Sequence, residues 1–165
     1  MSSYAKEKGK KFETKIAKQI HKHLMEFNSK YKLLVEAVNN DNVHPKRDSS
    51  SGVFTSANGD IELGIAKEFF PFSIECKDHK DLDLGINSIF KGKIKKLYKI
   101  WHEQTVPNAI RAELEPLAVF KANRTQSFVI HNKGVVNEEL YSIYVKLNDN
   151  LIMGLFDEFI INYKN

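Results

Sequence analysis

The stretch FSIECKDHK, Phe72 to Lys80, decides the fold, because it places a carboxylate and an ammonium two residues apart inside what reads as a buried strand. Side chains alternate along a strand, so Phe72, Ile74 and Cys76 share one face while Ser73, Glu75 and Lys77 share the other. A strand with this pattern has two explanations. Either the Glu-x-Lys face is simply wetted by solvent, or it is a site.

Just upstream, GDIELGI (Gly59 to Ile65) alternates cleanly, with Ile61, Leu63 and Ile65 on one face and Asp60 and Glu62 on the other. The short connection AKEFFP makes this segment and FSIECK an expected antiparallel pair. The preceding twenty residues, NNDNVHPKRDSSSGVFTSAN (Asn39 to Asn58), read as a long loop, and loops of that length are usually functional or disordered. Before them YKLLVEAV (Tyr31 to Val38) is expected as a strand. From Lys10 to Phe27 the apolar residues Phe12, Ile16, Ile20, Leu24 and Phe27 recur at helical steps, with Glu13 at the edge of the buried face.

Downstream of the central stretch, Ile86 to Gln104 returns to helical period, weakened at Gly92 by about 1 kcal/mol relative to Ala. PLAVFKANR (Pro116 to Arg124) and QSFVIHN (Gln126 to Asn132) are expected as strands, joined around Asn123 to Thr125. LYSIYVKL (Leu140 to Leu147) is strand-like, and LFDEFIINY (Leu155 to Tyr163) is a closing amphipathic helix. The element order predicts an α/β fold, a mixed sheet flanked by helices.

With 165 residues, 28% charged and 42% apolar, the chain has the composition of one globular domain. No apolar run approaches the roughly 18–20 residues needed to span a bilayer, and the basic N-terminus has no apolar stretch behind it, so a cytoplasmic location is expected. The single cysteine, Cys76, excludes an internal disulfide and a cysteine-based metal cluster. The net charge of +4 favours a nucleic-acid partner only slightly. The cations concentrate in KEKGKK (Lys6 to Lys11) and KGKIKK (Lys91 to Lys96), either solvated helix faces or phosphate contacts.

Three acids are candidates for one place: Asp60 at a strand start, Glu75 on the next strand, and Glu13 facing inward from the first helix. A hard divalent cation such as Mg²⁺ takes one or two carboxylates, with water and phosphate completing its shell. A lysine on the same face can stabilise charge on a phosphate or position an attacking water. Each feature also has an ordinary explanation. A Gly-Asp pair is a common turn, and a helix-edge Glu13 can pair with Lys10 or Lys15 for about 0.5 kcal/mol. His21 and His23, two apart on a helix, do not meet, His79 reads as a solvated turn residue, and Cys76 reads as a small buried apolar residue rather than a nucleophile. Asp78, Asp81 and Asp83 lack the central glycine and terminal glutamate of a calcium loop.

Asp60 followed by Glu75-Cys76-Lys77 resembles the signature of the PD-(D/E)xK nuclease superfamily. The helix GKKFETKIAKQI, with its inward glutamate, is similar to the opening helix of the Holliday-junction resolvases of that superfamily. RDSSSG (Arg47 to Gly52) resembles their serine- and glycine-rich loop, and FKANR (Phe120 to Arg124) the basic end of a later strand. Asn58-Gly59 stands where the superfamily proline is usually written. The resemblance implies a restriction-endonuclease-like core over about residues 10–132, with 133–165 as a C-terminal extension of one nuclease domain spanning 1–165.

It further implies that Asp60 and Glu75 hold Mg²⁺, for which Mn²⁺ would substitute, with the Cys76 carbonyl and Glu13 as further ligands. Lys77 would sit beside the scissile phosphate. Ser50 and Ser51 would touch DNA from the loop, and Lys10, Lys11, Arg47, Lys93, Lys96, Lys121 and Arg124 would add basic contacts. The implied function is a Holliday-junction resolvase, a homodimer cutting four-way or branched DNA in a bacterial cell or a phage-infected host. The rivals are a restriction- or repair-type enzyme that cuts ordinary duplex, a DNA-binding module without turnover, and a small mixed domain unrelated to nucleic acid.

Overall fold

The computed structural model describes residues 3–38, 44–49, 59–78, 94–121 and 126–163. Helix α1 (Ser3–Phe27) buries Phe12, Ile16, Ala17, Ile20 and Leu24 along one stripe, as its period requires. The segment expected as a strand at Tyr31 to Val38 is instead a second helix, α2 (Ser29–Val38). The Asn28 side chain caps it by accepting the Tyr31 N–H at 2.9 Å. Only Tyr31 is fully buried, and Leu34 and Val35, three and four residues on, pack beside it, which is helical spacing.

Two short strands follow, β1 (Lys46–Arg47) and β2 (Ile61–Glu62), paired antiparallel with Arg47 opposite Ile61. The strand expected over Gly59 to Ile65 therefore shortens to two residues, pairs with β1 rather than with FSIECK, and turns into a 3₁₀ helix at Gly64–Glu68. The strand β3 (Phe72–Asp78) forms as expected.

After β3 the chain is described again at α3 (Lys95–Ile100), which widens through a π turn at Trp101–Thr105 into α4 (Val106–Ala112). The helix thus runs past the expected end at Gln104. Glu113, at φ 55°, closes it in the left-handed conformation. The strands β4 (Glu115–Lys121) and β5 (Ser127–Asn132) form an antiparallel pair, while β3 and β4 are parallel. A 3₁₀ turn at Glu138–Leu140 precedes β6 (Tyr144–Asn148). The strand β7 (Leu151–Leu155), which the sequence pattern did not announce, leads into the closing helix α5 (Phe156–Asn162).

These strands make a five-stranded mixed sheet in the order β3-β4-β5-β7-β6. One face carries Phe72, Ile74, Cys76, Leu117, Val119, Val129 and Ile152 against α1, α2 and α5. The other carries Ala118, Phe120, Ile130 and Met153 against Leu97, Ile100 and Trp101 of the α3 layer. The fold is α/β, a mixed sheet flanked by helices. Residues of β6, β7 and α5 belong to this same sheet and core: Phe159 and Tyr163 pack their rings 5.7 Å and 5.0 Å from Phe72. His131, fully buried, donates from Nδ1 to the Asn132 carbonyl at 2.7 Å and accepts the Tyr141 hydroxyl at Nε2, 2.8 Å away. No described helix is long and apolar enough to cross a membrane.

Candidate active site

The strand β3 is an edge strand of the large sheet, and the chain at Gly59 and Asp60 covers its open side. The Asp60 N–H donates to the Ile74 carbonyl at 2.7 Å, and the Cys76 N–H donates to Asp60 Oδ2 at 2.7 Å. Backbone contact this close is possible because residue 59 is glycine. Its φ is 128°, and a Cβ there would lie 2.9 Å from the Ile74 oxygen and 3.0 Å from its nitrogen. A third bond, from the Asp48 N–H to the Asp60 carbonyl at 2.9 Å, ties the same residue to the segment after β1.

Glu75 and Lys77 lie on one face of β3, and the two side chains are hydrogen-bonded through Glu75 Oε1 and Lys77 Nζ. The other oxygen, Oε2, accepts from Asn108 Nδ2 of α4 at 3.1 Å. Glu75 is 6% exposed and Asp60 8%, so both acids are held inside the protein rather than on a wet face. Glu13 enters from α1, half-buried, and accepts from Arg47 Nε at 2.6 Å.

These groups feel one another. Burial pushes the Glu75 carboxyl above its ordinary pKa, and the Asp60 charge adds to this, while Lys77 and the Asn108 bond oppose it. Glu13 is likewise raised, first by burial and then by Asp60, against Arg47 and Lys77. For Lys77, burial works against the charged form, but Glu75 and Asp60 outweigh it and its pKa is raised. Burial above all, with the three carboxylates, pushes the Cys76 thiol well up, so that side chain stays neutral and unreactive. Three carboxylates thus share a region with two cations, a set whose residual negative charge suits a hard divalent ion. Among the described residues no three or more His, Cys, Asp or Glu side chains form a ready-made metal cluster.

The remaining candidates are spread more widely. Arg47 stands in the site through Glu13. Lys10 and Lys11 are exposed on α1, where Lys11 pairs with Glu7 at 2.8 Å, and Lys96 is exposed on α3. Lys121 is half-buried at the end of β4, in register with Asp78. Ser50, Ser51, Lys93 and Arg124 lie outside the described residues, as do His79, Asp81 and Asp83.

A family model described as "Phage putative PDDEXK endonuclease" matches residues 4–162. The chain belongs to this family. It is therefore a member of the PD-(D/E)xK nuclease superfamily. The 1.6 Å structure of Hjc from Archaeoglobus fulgidus, a Holliday junction resolvase from an archaeal hyperthermophile, is similar over 81% of this chain and 91% of that one. Its sequence identity is 15% and its TM-score 0.31. No curated protein sequence matches.

Sequence reasoning passed over Asn108 in this PDDEXK endonuclease. Pro107 signals only that the helical run is interrupted there, and nothing in the sequence points to its neighbour.

Proposed function

We propose that this nuclease is a Mg²⁺-dependent endonuclease of branched DNA, cutting four-way junctions in the manner of a Holliday-junction resolvase. The observation that carries the reading is the convergence of Asp60, Glu75 and Lys77 at the edge of the sheet, with Glu13 reaching the same place from α1. An inward glutamate on the first helix is the feature that resembles the resolvases.

Asp60 and Glu75 would hold the cation, with Glu13 and the Cys76 carbonyl as further ligands. Bound Mg²⁺ would supply Lewis acidity toward a phosphate oxygen and a nucleophilic water at neutral pH. Lys77 offsets charge on the scissile phosphate as a P–O bond to water forms and the bond to the leaving sugar oxygen breaks. The proton of the attacking water passes to solvent or to that oxygen. Lys10, Lys11, Arg47, Lys96 and Lys121, with Lys93, Arg124, Ser50 and Ser51, are the proposed DNA contacts. The reading takes residues 1–165 as one nuclease domain, acting as a homodimer because a four-way junction presents two equivalent strands to cut.

The test is gel cleavage of a labelled four-way junction beside linear duplex of the same sequence, with Mg²⁺, with EDTA, and with the Glu75→Gln protein. Paired symmetric nicks on the junction alone, lost in both controls, establish the resolvase. Cutting of both substrates makes it a duplex endonuclease, and binding without cutting in Mg²⁺ or Mn²⁺ overturns the catalytic reading.

A further inference from the structure

The second oxygen of Glu75 is held by a residue that no signature contains. Asn108 Nδ2 donates to Glu75 Oε2 at 3.1 Å, and Asn108 Oδ1 in turn accepts from Arg111 Nη2, one turn further along α4. The Arg111 bond fixes which end of the amide faces the carboxylate, since a guanidinium can only donate.

The helix is built to bring Asn108 there. Through Trp101–Thr105 the chain winds as a π turn, and the Val106 N–H reaches back five residues to the Trp101 carbonyl. One extra residue in a turn rotates all that follows by about 100°, the angle per residue of an α-helix. Single π turns inside α-helices are often found at functional sites. Pro107, which has no N–H to give, comes directly after the widened turn, where the ordinary ladder is already interrupted. The buried Thr105 hydroxyl donates to the Ile100 carbonyl at 3.4 Å within the same turn. At its far end α4 is closed by the Leu114 N–H on the Ala109 carbonyl, one residue before β4, which itself pairs with β3. Asn108 is therefore set on a frame hydrogen-bonded to the strand that carries its target.

We propose that Asn108 is a positioning residue for Glu75. Its amide fixes the rotation of the carboxylate, so that Oε1, which here accepts from Lys77 Nζ, is the oxygen a divalent cation would take in its place. An amide suits this task because it holds the carboxylate without cancelling its charge, as a second lysine would. The inference rests on the reading of Glu75 as a cation ligand. Outer partners that orient metal ligands are typically worth 10–100-fold in metal affinity or activity.

The experiment is Mn²⁺ binding by calorimetry to the full chain without DNA, comparing wild type with Glu75→Gln, Asn108→Ala, Asn108→Gln and Arg111→Ala. It is paired with kcat and KM on DNA and with the thermal midpoint. Asn108→Ala is expected to weaken Mn²⁺ about 10-fold or more and to lower kcat similarly with KM for DNA unchanged. Asn108→Gln, which keeps the donor, should recover part of both, and Arg111→Ala should give a smaller loss in the same direction. Mn²⁺ affinity within twofold of wild type in Asn108→Ala, with only the thermal midpoint lowered, would make Asn108 a purely structural partner and overturn the proposal. Should Asn108→Ala not fold, Arg111→Ala decides: unchanged Mn²⁺ affinity there overturns it. If Glu75→Gln binds Mn²⁺ as well as wild type, the metal-ligand reading of Glu75 fails and this proposal fails with it. That outcome is distinct from loss in Glu75→Gln with no loss in the Asn108 variants.

Discussion

Asp60 and Cys76 are joined by a 2.7 Å hydrogen bond from the Cys76 backbone N–H to Asp60 Oδ2, so the first acid of the site is anchored on the strand that bears the second. The bond crosses the open edge of β3, and it spends one carboxylate oxygen of Asp60 on position.

Neutralising either buried acid should separate function from stability. Asp60→Asn and Glu75→Gln are each expected to lower kcat more than ~100-fold, the scale of removing one charge-stabilising group from a reaction site. Glu75→Gln removes a carboxylate that burial and Asp60 both disfavour, but also the partner that holds Lys77 charged, so its thermal midpoint in EDTA should stay close to that of wild type. A cleavage assay and a melting curve on the same preparations check this, and a large loss of stability in Glu75→Gln would contradict it.

Lys77 competes for the same carboxylate that a cation would use. Lys77→Ala is expected to abolish cleavage while leaving Mn²⁺ affinity of the DNA-free protein unchanged or tighter, because Glu75 Oε1 loses its present partner. Weaker Mn²⁺ binding in that variant would show that the lysine orders the site instead.

Gly59→Ala tests how Asp60 is placed. The substitution puts a Cβ 2.9 Å from the Ile74 carbonyl at a φ of 128°, and neither the backbone of β3 nor that conformation yields cheaply. A loss of about 1–3 kcal/mol in unfolding free energy is expected from the strain, together with reduced kcat as Asp60 moves off the strand. Denaturant unfolding and cleavage rates measure the two effects.

The expected acid sensitivity comes from histidine rather than from the site. Burial lowers the His131 pKa from its ordinary 6.5, against smaller upward pulls from its bond to the Asn132 carbonyl and from Glu138. The folded state then binds fewer protons than the unfolded chain, so stability rises with pH through this window. The contribution is complete above about pH 6.5, the unfolded value, and is lost as pH falls toward the depressed folded one. His21 and His23, also lowered by burial, act in the same sense. Unfolding midpoints between pH 7.5 and 5 should fall for wild type and fall less steeply for His131→Gln.

How much of this was legible in the sequence differs by element. The stripe of Phe12, Ile16, Ile20 and Leu24 specified α1, and the alternation in FSIECK specified β3 and set Glu75 and Lys77 on one face. Tyr31 to Val38 misled because its aromatic and branched residues suit a strand, while the Asn28 cap that makes it a helix lies outside the run. The strand β7 was hidden because LIMGL shows no alternation, as expected of a strand buried on both faces. Its hairpin with β6 turns on Asp149 and Asn150, a polar pair of the kind that makes turns. Of the site, the Asp60, Glu75 and Lys77 pattern was visible, and the Glu13 partner Arg47 was noted only as a basic residue. Asn108 was not visible, since it reaches Glu75 only through a π turn that no periodicity shows.

The parallel pairing of β3 with β4 has one more consequence. Parallel neighbours cannot be joined by a tight turn, so the chain must travel back the full length of the strand before β4 can begin. That return passage is an obligatory cost of the topology, and here it also delivers Asn108 and Arg111. Excising the described part of that return, residues 94–114, would remove the route and a hand on Glu75 in one cut.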